Sequence, residues 1–268
     1  MGDDGLMRVT VFGTRGSVPV TGGAFAVFGG ATSCYLLEAE GSVLVIDAGT
    51  GAGNIGDCAL GGGPVTVLLS HVHADHIMGL PFLPAFSESE RQIAVYTASR
   101  LGMSCREQLD RFFSPPVWPL TLSEYPADVR FFDLSPSLTV GPFTVVGMES
   151  SHPGGATVFR ITCGGKTVVF ATDFEHGPDA SRKLAQFARG ADIMFYDAQY
   201  SDEEYEAHRG YGHSTAHAGL DTAAAAGVKK VFFIHHDPNA CDALLLGRER
   251  ALGTDAARYA REGDVIEI

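Results

Sequence analysis

Three histidines and an aspartate stand within six residues at His71-Val72-His73-Ala74-Asp75-His76. Imidazole and carboxylate are ligands for zinc and similar divalent ions. His71 and His73 are two positions apart, so an extended segment points both the same way. Asp75 and His76 follow in a turn, within reach of a second ion. More such residues follow apolar runs: His152 after 143–148, Asp173 after 166–171 and His235 after 230–234. A lone histidine after a strand is ordinarily a satisfied surface or core residue. Four strand ends in one chain that all carry His or Asp argue for a metal site, because the edge of a sheet can bring distant loops together. His236 adjoins His235 and competes with it for the same role.

Those residues need elements to carry them. The apolar run 65–70 stops at His71 and reads as a buried strand. Further strands are expected at 7–12, 128–132, 143–148, 192–197, 229–234 and 264–267. Two hairpins are expected, 32–38 with 42–47 about Glu40-Gly41, and 157–162 with 166–171 about Gly164-Gly165. Helices are expected at 99–113, broken by the Pro-rich stretch 114–119, at 179–188, at 214–226 with Gly227 as its end, and at 239–261. Two strand-rich halves with helices interspersed fit an α/β fold in which two sheets pack face to face with helices outside. This is a four-layer αββα sandwich, with 1–268 as one domain.

Composition narrows the function classes. Hydrophobic residues make up 45% of the 268 and charged residues 19%, enough for a sizeable core and unlike a disordered chain. The net charge of −13, with no basic cluster beyond Lys229-Lys230, argues against long nucleic acid as a partner. A small anionic substrate remains compatible, because bound cations reverse the local field. The five cysteines are odd in number and form no CxxC pair, so neither a disulfide framework nor a cysteine zinc site is expected. Residues 1–10 do not read as a signal peptide and no stretch approaches a membrane span, so a cytoplasmic protein with no membrane partner is expected.

Taken in order, His-x-His-x-Asp-His at 71–76, His152, Asp173 and His235 resemble the metallo-β-lactamase superfamily. The resemblance implies the αββα sandwich and a dinuclear site of divalent ions, Zn²⁺ or Mn²⁺, with Fe²⁺ also acceptable to these ligands. It implies that His71, His73 and His152 hold one ion, that Asp75, His76 and His235 hold the other, and that Asp173 bridges them. Alignment of the strand end favours His235 over His236. Asp47, in Ile46-Asp47-Ala48-Gly49, matches a position that supports the histidine loop, and reads equally as a turn aspartate.

A narrower similarity is to ribonuclease Z and its phosphodiesterase relatives, carried by Gly212-His213-Ser214-Thr215-Ala216 and by Asp197 in Phe195-Tyr196-Asp197-Ala198. It implies that His213 donates a proton to the leaving oxygen and that Asp197 orients it. With Asp75 these are the expected catalytic residues. The implied reaction is two-metal hydrolysis of a small phosphodiester such as a cyclic nucleotide or sugar phosphate. The segments 12–19, 29–34 and 235–238 look like the same branch. Arg15 there reads as a contact to an anionic substrate or as a structural residue. The chain departs from ribonuclease Z in lacking its basic tRNA-gripping arm, and from the phosphonate-pathway cyclic-phosphate diesterase in lacking its cysteine-bound zinc. Segment 99–127, with Phe112, Phe113, Trp118 and Tyr125, reads as a lid, a homodimer contact or a structural flap. The alternatives are a thioester, lactone or sulfate-ester hydrolase of the same fold, and a non-hydrolytic redox or sensor protein. The iron redox members usually carry an acidic pattern where His76 stands.

Overall fold

The computed structural model describes residues 6–268. In its first half, β1 (Arg8–Gly13), β2 (Cys34–Ala39) and β3 (Ser42–Ala48) form an antiparallel meander. Then β4 (Val65–Leu68), β5 (Gln92–Thr97) and β6 (Asp128–Asp133) add in parallel. The helices α1 (Ala74–Ile77) and α2 (Cys105–Asp110) interrupt them. The second half builds an antiparallel run from β7 (Ser137–Val140), β8 (Phe143–Ser150), β9 (Ala156–Cys163) and β10 (Lys166–Ala171). After α3 (Pro178–Phe187) come β11 (Ile193–Asp197), α4 (Asp202–His208), α5 (Ala216–Ala226), β12 (Lys230–Ile234), α6 (Asp242–Ala251) and β13 (Ala257–Tyr259). These three strands extend the second sheet in parallel, and β14 (Val265–Glu267) crosses back to pair with β1.

The result is two seven-stranded sheets, ordered β14-β1-β2-β3-β4-β5-β6 and β13-β12-β11-β10-β9-β8-β7. Side chains alternate across each strand, and here both faces are apolar. Tyr35, Leu37, Leu44 and Ile46 point between the sheets, where they meet Phe159, Phe170, Phe195 and Phe232. Leu36 and Val45 point outward under Leu83, Phe86, Leu109 and Phe113. On the far side Leu184, Ala223 and Leu245 from α3, α5 and α6 cover the second sheet. This is the expected αββα sandwich, the metallo-β-lactamase fold. Among the described residues no helix is long and apolar enough to cross a membrane.

Two expected helices are shorter than their patterns. The 99–113 helix begins only at Ser104, whose hydroxyl and Glu107 form a capping box. The preceding residues make a reverse turn, with Leu101 and Gly102 at φ 51° and 74°. The 239–261 helix ends after Ala251; Gly253 turns at φ 64° and Ala257–Tyr259 pairs with the open edge of β12 instead. The strands β5 and β7 and the helices α1 and α4 were not expected; the turn expected at Asp75-His76 is the single-turn helix α1. The side chains of Cys105, Leu109, Phe113 and Leu122 from 99–127 are buried in the layer over the first sheet, and Trp118 packs on Phe112 and Phe113. That packing fits the structural-flap alternative.

Candidate functional site

The C-terminal ends of β8, β10, β11 and β12 share one edge of the second sheet, because these four strands run in the same direction. Chain at those ends, with the ends of β3 and β4 from the first sheet, carries the seven expected ligands, Asp47, Asp197 and His213. Three exits are made by site or supporting residues in the left-handed region: Asp47 at φ 54°, Asp173 at φ 50° and His235 at φ 60°. Such a backbone is uncommon outside glycine, and Asp and His tolerate it better than most. It turns the chain sharply and aims each side chain back over the sheet edge.

The structure brings all seven expected ligands together. Donor atoms of His71, His73 and His152 lie within 4.8 Å of one another, as do those of Asp75, His76 and His235, and those of His71, His76 and Asp173. Asp173 sits among both triads. Its Oδ2 is 3.1 Å from His76 Nε2, and its Oδ1 is 3.4, 3.7 and 3.8 Å from Nε2 of His235, His152 and His71. Asp75 Oδ2 lies 3.3 Å from both His76 Nε2 and His235 Nε2 and accepts from the Ser17 backbone N–H. All are buried except His73, which is exposed, and His152, which is half-buried.

The outer nitrogens decide what the inner ones can do. His76 Nδ1 donates to Asp47 Oδ2 at 2.8 Å. His235 Nδ1 donates to Gln199 Oε1 at 2.8 Å, and His152 Nδ1 to the Gly212 carbonyl at 3.1 Å. The Ser70 hydroxyl donates to Asp47, so its oxygen accepts from His71 Nδ1 at 3.0 Å. Each of these four rings therefore turns an Nε2 lone pair inward, and His71 Nε2 is buried with no partner. Converging lone pairs and carboxylates in a buried space fit a divalent cation, and orienting the outer nitrogen is how metal-binding histidines are held. Without the ion, protons take its place. Burial alone would lower the His235 pKa, but Asp173, Asp75 and Asp197 outweigh it and push it up to about 9. His76 is raised in the same way, against its burial, by Asp173, Asp75 and Asp47. Asp75, whose burial opposes ionisation, is held well below the usual carboxylate range by His76 and His235. Burial pushes His71 down.

Beside this cluster His213 Nδ1 donates to Asp197 Oδ2 at 2.8 Å, and Asp197 Oδ1 accepts from the backbone N–H groups of Gln199 and Ser214. The His213 ring stacks on His235 with centroids 4.7 Å apart and meets His152 edge-on at 5.3 Å. Of the adjacent histidines, His235 faces the cluster and His236 turns away, its Nε2 donating to the Ala260 carbonyl at 2.8 Å. Asp47 supports the histidine loop through Ser70 and His76. Arg15 is fully buried and bonds the carbonyls of Gly29, Asp237 and Ala240, so it is structural. Ser70, Gln199 and Glu175 are site residues that the sequence did not mark. Gln199 follows the strand end of Asp197 by two positions, the one signal that could have marked it. Glu175 accepts from the N–H groups of Gly210 and Gly212 and so fixes the loop before His213.

The sandwich and its edge cluster define a metallo-β-lactamase fold with a His/Asp site suited to a divalent metal. The chain belongs to the β-lactamase superfamily: the Beta-lactamase superfamily domain matches residues 44–236, which span the whole cluster. It is 22% identical to Ribonuclease Z of Haloarcula marismortui over 97% of this chain and 94% of that protein. It is 30% identical to Uncharacterized protein Rv1339 of Mycobacterium tuberculosis over 87% of this chain and 81% of that one. Among solved structures, the metallo-beta-lactamase fold protein YhfI from Bacillus subtilis superposes with a TM-score of 0.74 at 23% identity, covering 98% of this chain and 100% of that chain.

Proposed function

We propose that this chain is a metal-dependent hydrolase of a small phosphodiester, such as a cyclic nucleotide or sugar phosphate. His71, His73 and His152 make one ligand set, Asp75, His76 and His235 the other, and Asp173 serves both. Two divalent ions held there would supply Lewis-acid stabilisation of the phosphoryl oxygens and an acidified water. The remaining need of a phosphodiester is a proton for its leaving alkoxide. The observation that carries the reading is the Asp197–His213 pair, which stands against the cluster with its hydrogen bond at 2.8 Å. Asp197 accepts from Nδ1, which leaves Nε2 as the atom that gives a proton to the leaving oxygen. The ribonuclease Z relative, a protein of nearly the same span, supports a phosphodiester over a thioester or lactone. The net charge of −13 and the structural use of Arg15 favour a small substrate over RNA.

The test is hydrolysis of bis(p-nitrophenyl) phosphate by protein loaded in turn with Zn²⁺ and Mn²⁺, beside an Asp173→Ala control. Turnover that disappears in the control is expected. Absence of turnover at two bound ions per chain would overturn the phosphodiester reading and direct the search to thioesters and lactones.

A further inference from the structure

We propose that Gln199 is the positioning residue that sets how tightly the Asp75, His76 and His235 side of the centre holds its ion, because among the described residues it alone accepts the proton on His235 Nδ1. This rests on the metal-centre reading above.

The other inward-facing rings are oriented by a carboxylate (His76), a backbone carbonyl (His152) or a hydroxyl (His71). His235 is oriented by a side-chain amide, which has two opposite faces. Its oxygen accepts and keeps the His235 proton on Nδ1, leaving the Nε2 lone pair toward Asp75 and Asp173. Turned over, its nitrogen would donate and drive the proton to Nε2, where an ion would have to bind. On this face Gln199 Nε2 donates to Tyr200 Oη at 3.3 Å, and the Gln199 backbone N–H, which donates to Asp197 Oδ1 at 3.1 Å, holds the turn that carries the side chain. Gln199 is 4% exposed, so water does not compete for these bonds.

Asp197 does not do this work. Its Oδ2 is 2.8 Å from His213 Nδ1 but 3.8 Å from His235 Nδ1. The short turn after β11 therefore divides the labour, with Asp197 on the proton donor and Gln199 on the ligand. A neutral acceptor raises imidazole basicity less than a carboxylate does. Within the second triad His76 has the carboxylate of Asp47 and His235 has only the amide. The charge at position 199 then tunes the affinity, and the sign can be tested in both directions.

Wild-type chain, Gln199→Leu and Gln199→Glu are stripped of metal and titrated with Zn²⁺ in a chelator buffer. Bound zinc per chain is read by mass spectrometry and heats by calorimetry. The expected result is two ions in the wild type. In Gln199→Leu one ion should keep its affinity and the other should weaken about 10- to 100-fold, the usual effect of losing such a partner. Gln199→Glu should bind at least as tightly as the wild type. The metal-free melting temperatures will differ, since each variant changes a buried bond to His235, but the loss of affinity stays confined to one ion, which a general structural role would not permit. Gln199→Leu binding both ions with wild-type affinity would overturn the proposal. So would equal weakening of both ions. A wild type that binds no zinc would overturn the metal-centre reading itself, a different failure visible before any variant is compared.

Discussion

At the residue scale the distinguishing feature is how few side chains are free. His213 has its Nδ1 committed to Asp197, and Asp197 has both oxygens committed, so the proposed proton donor is held in one geometry. Its value depends on the leaving group. A p-nitrophenolate departs without help, whereas an alkoxide needs its proton in the transition state. His213→Ala should therefore cost about 100-fold or more in kcat on an alkyl phosphodiester, the scale of general acid catalysis, and under about 10-fold on bis(p-nitrophenyl) phosphate. Asp197→Asn should follow His213→Ala on the alkyl substrate, since an amide nitrogen facing Nδ1 disfavours the required tautomer. Equal losses on both substrates would mean that His213 supports the ligands and not the leaving group.

At the element scale, glycines set the approach of loops to ligands. A Cβ on Gly16 would lie 2.2 Å from His235 Nδ1, inside any allowed contact. Gly16→Ala should push the His235 ring off Gln199 and weaken zinc binding by about 10-fold or more, measured by the same titration, and should lower the metal-free melting temperature as well, since the added carbon overpacks a buried ring. Retained affinity would show that the loop shifts in place of the ring. The convergence of these residues was legible in sequence because each group follows an apolar run, and strand ends at one sheet edge meet. Segments whose partner decides their form were not. Residues 257–259 sit in a pattern compatible with a helix, but the open edge of β12 claims them as a strand, and tertiary pairing outweighs local propensity. The strand β7 has four residues at a sheet edge with a half-exposed pattern, too short for a clear alternation. Gln199 carries no ligand signal at all; its role follows only from the direction of its amide.

At the scale of the whole molecule, the cluster links stability to pH, and the ions reverse the sign. In the metal-free chain His235 titrates near 9 against an ordinary value of 6.5, so the folded state keeps a proton that the unfolded chain gives up. That stabilisation is complete below pH 6.5 and is lost as pH rises through about 9. The shift from 6.5 to about 9 corresponds to about 3 kcal/mol for this group, enough to lower the melting temperature by several degrees. The carboxylates act at the other end: Asp75 is held below its ordinary 3.8, so its contribution is present above that pH and fades as acid protonates it. Buried His71 and His236, whose pKa values burial lowers, act the opposite way and cost stability as the pH falls below 6.5. Divalent ions compete with the protons on His235 and His76, so loading releases protons and tightens as pH rises. Melting curves with and without saturating Zn²⁺, taken between pH 6.5 and 9, should therefore diverge: the metal-free melting temperature falls and the zinc-dependent increment grows. Two curves that run parallel across the window would mean that zinc does not displace the His235 proton, and that the cluster is not where the ions bind.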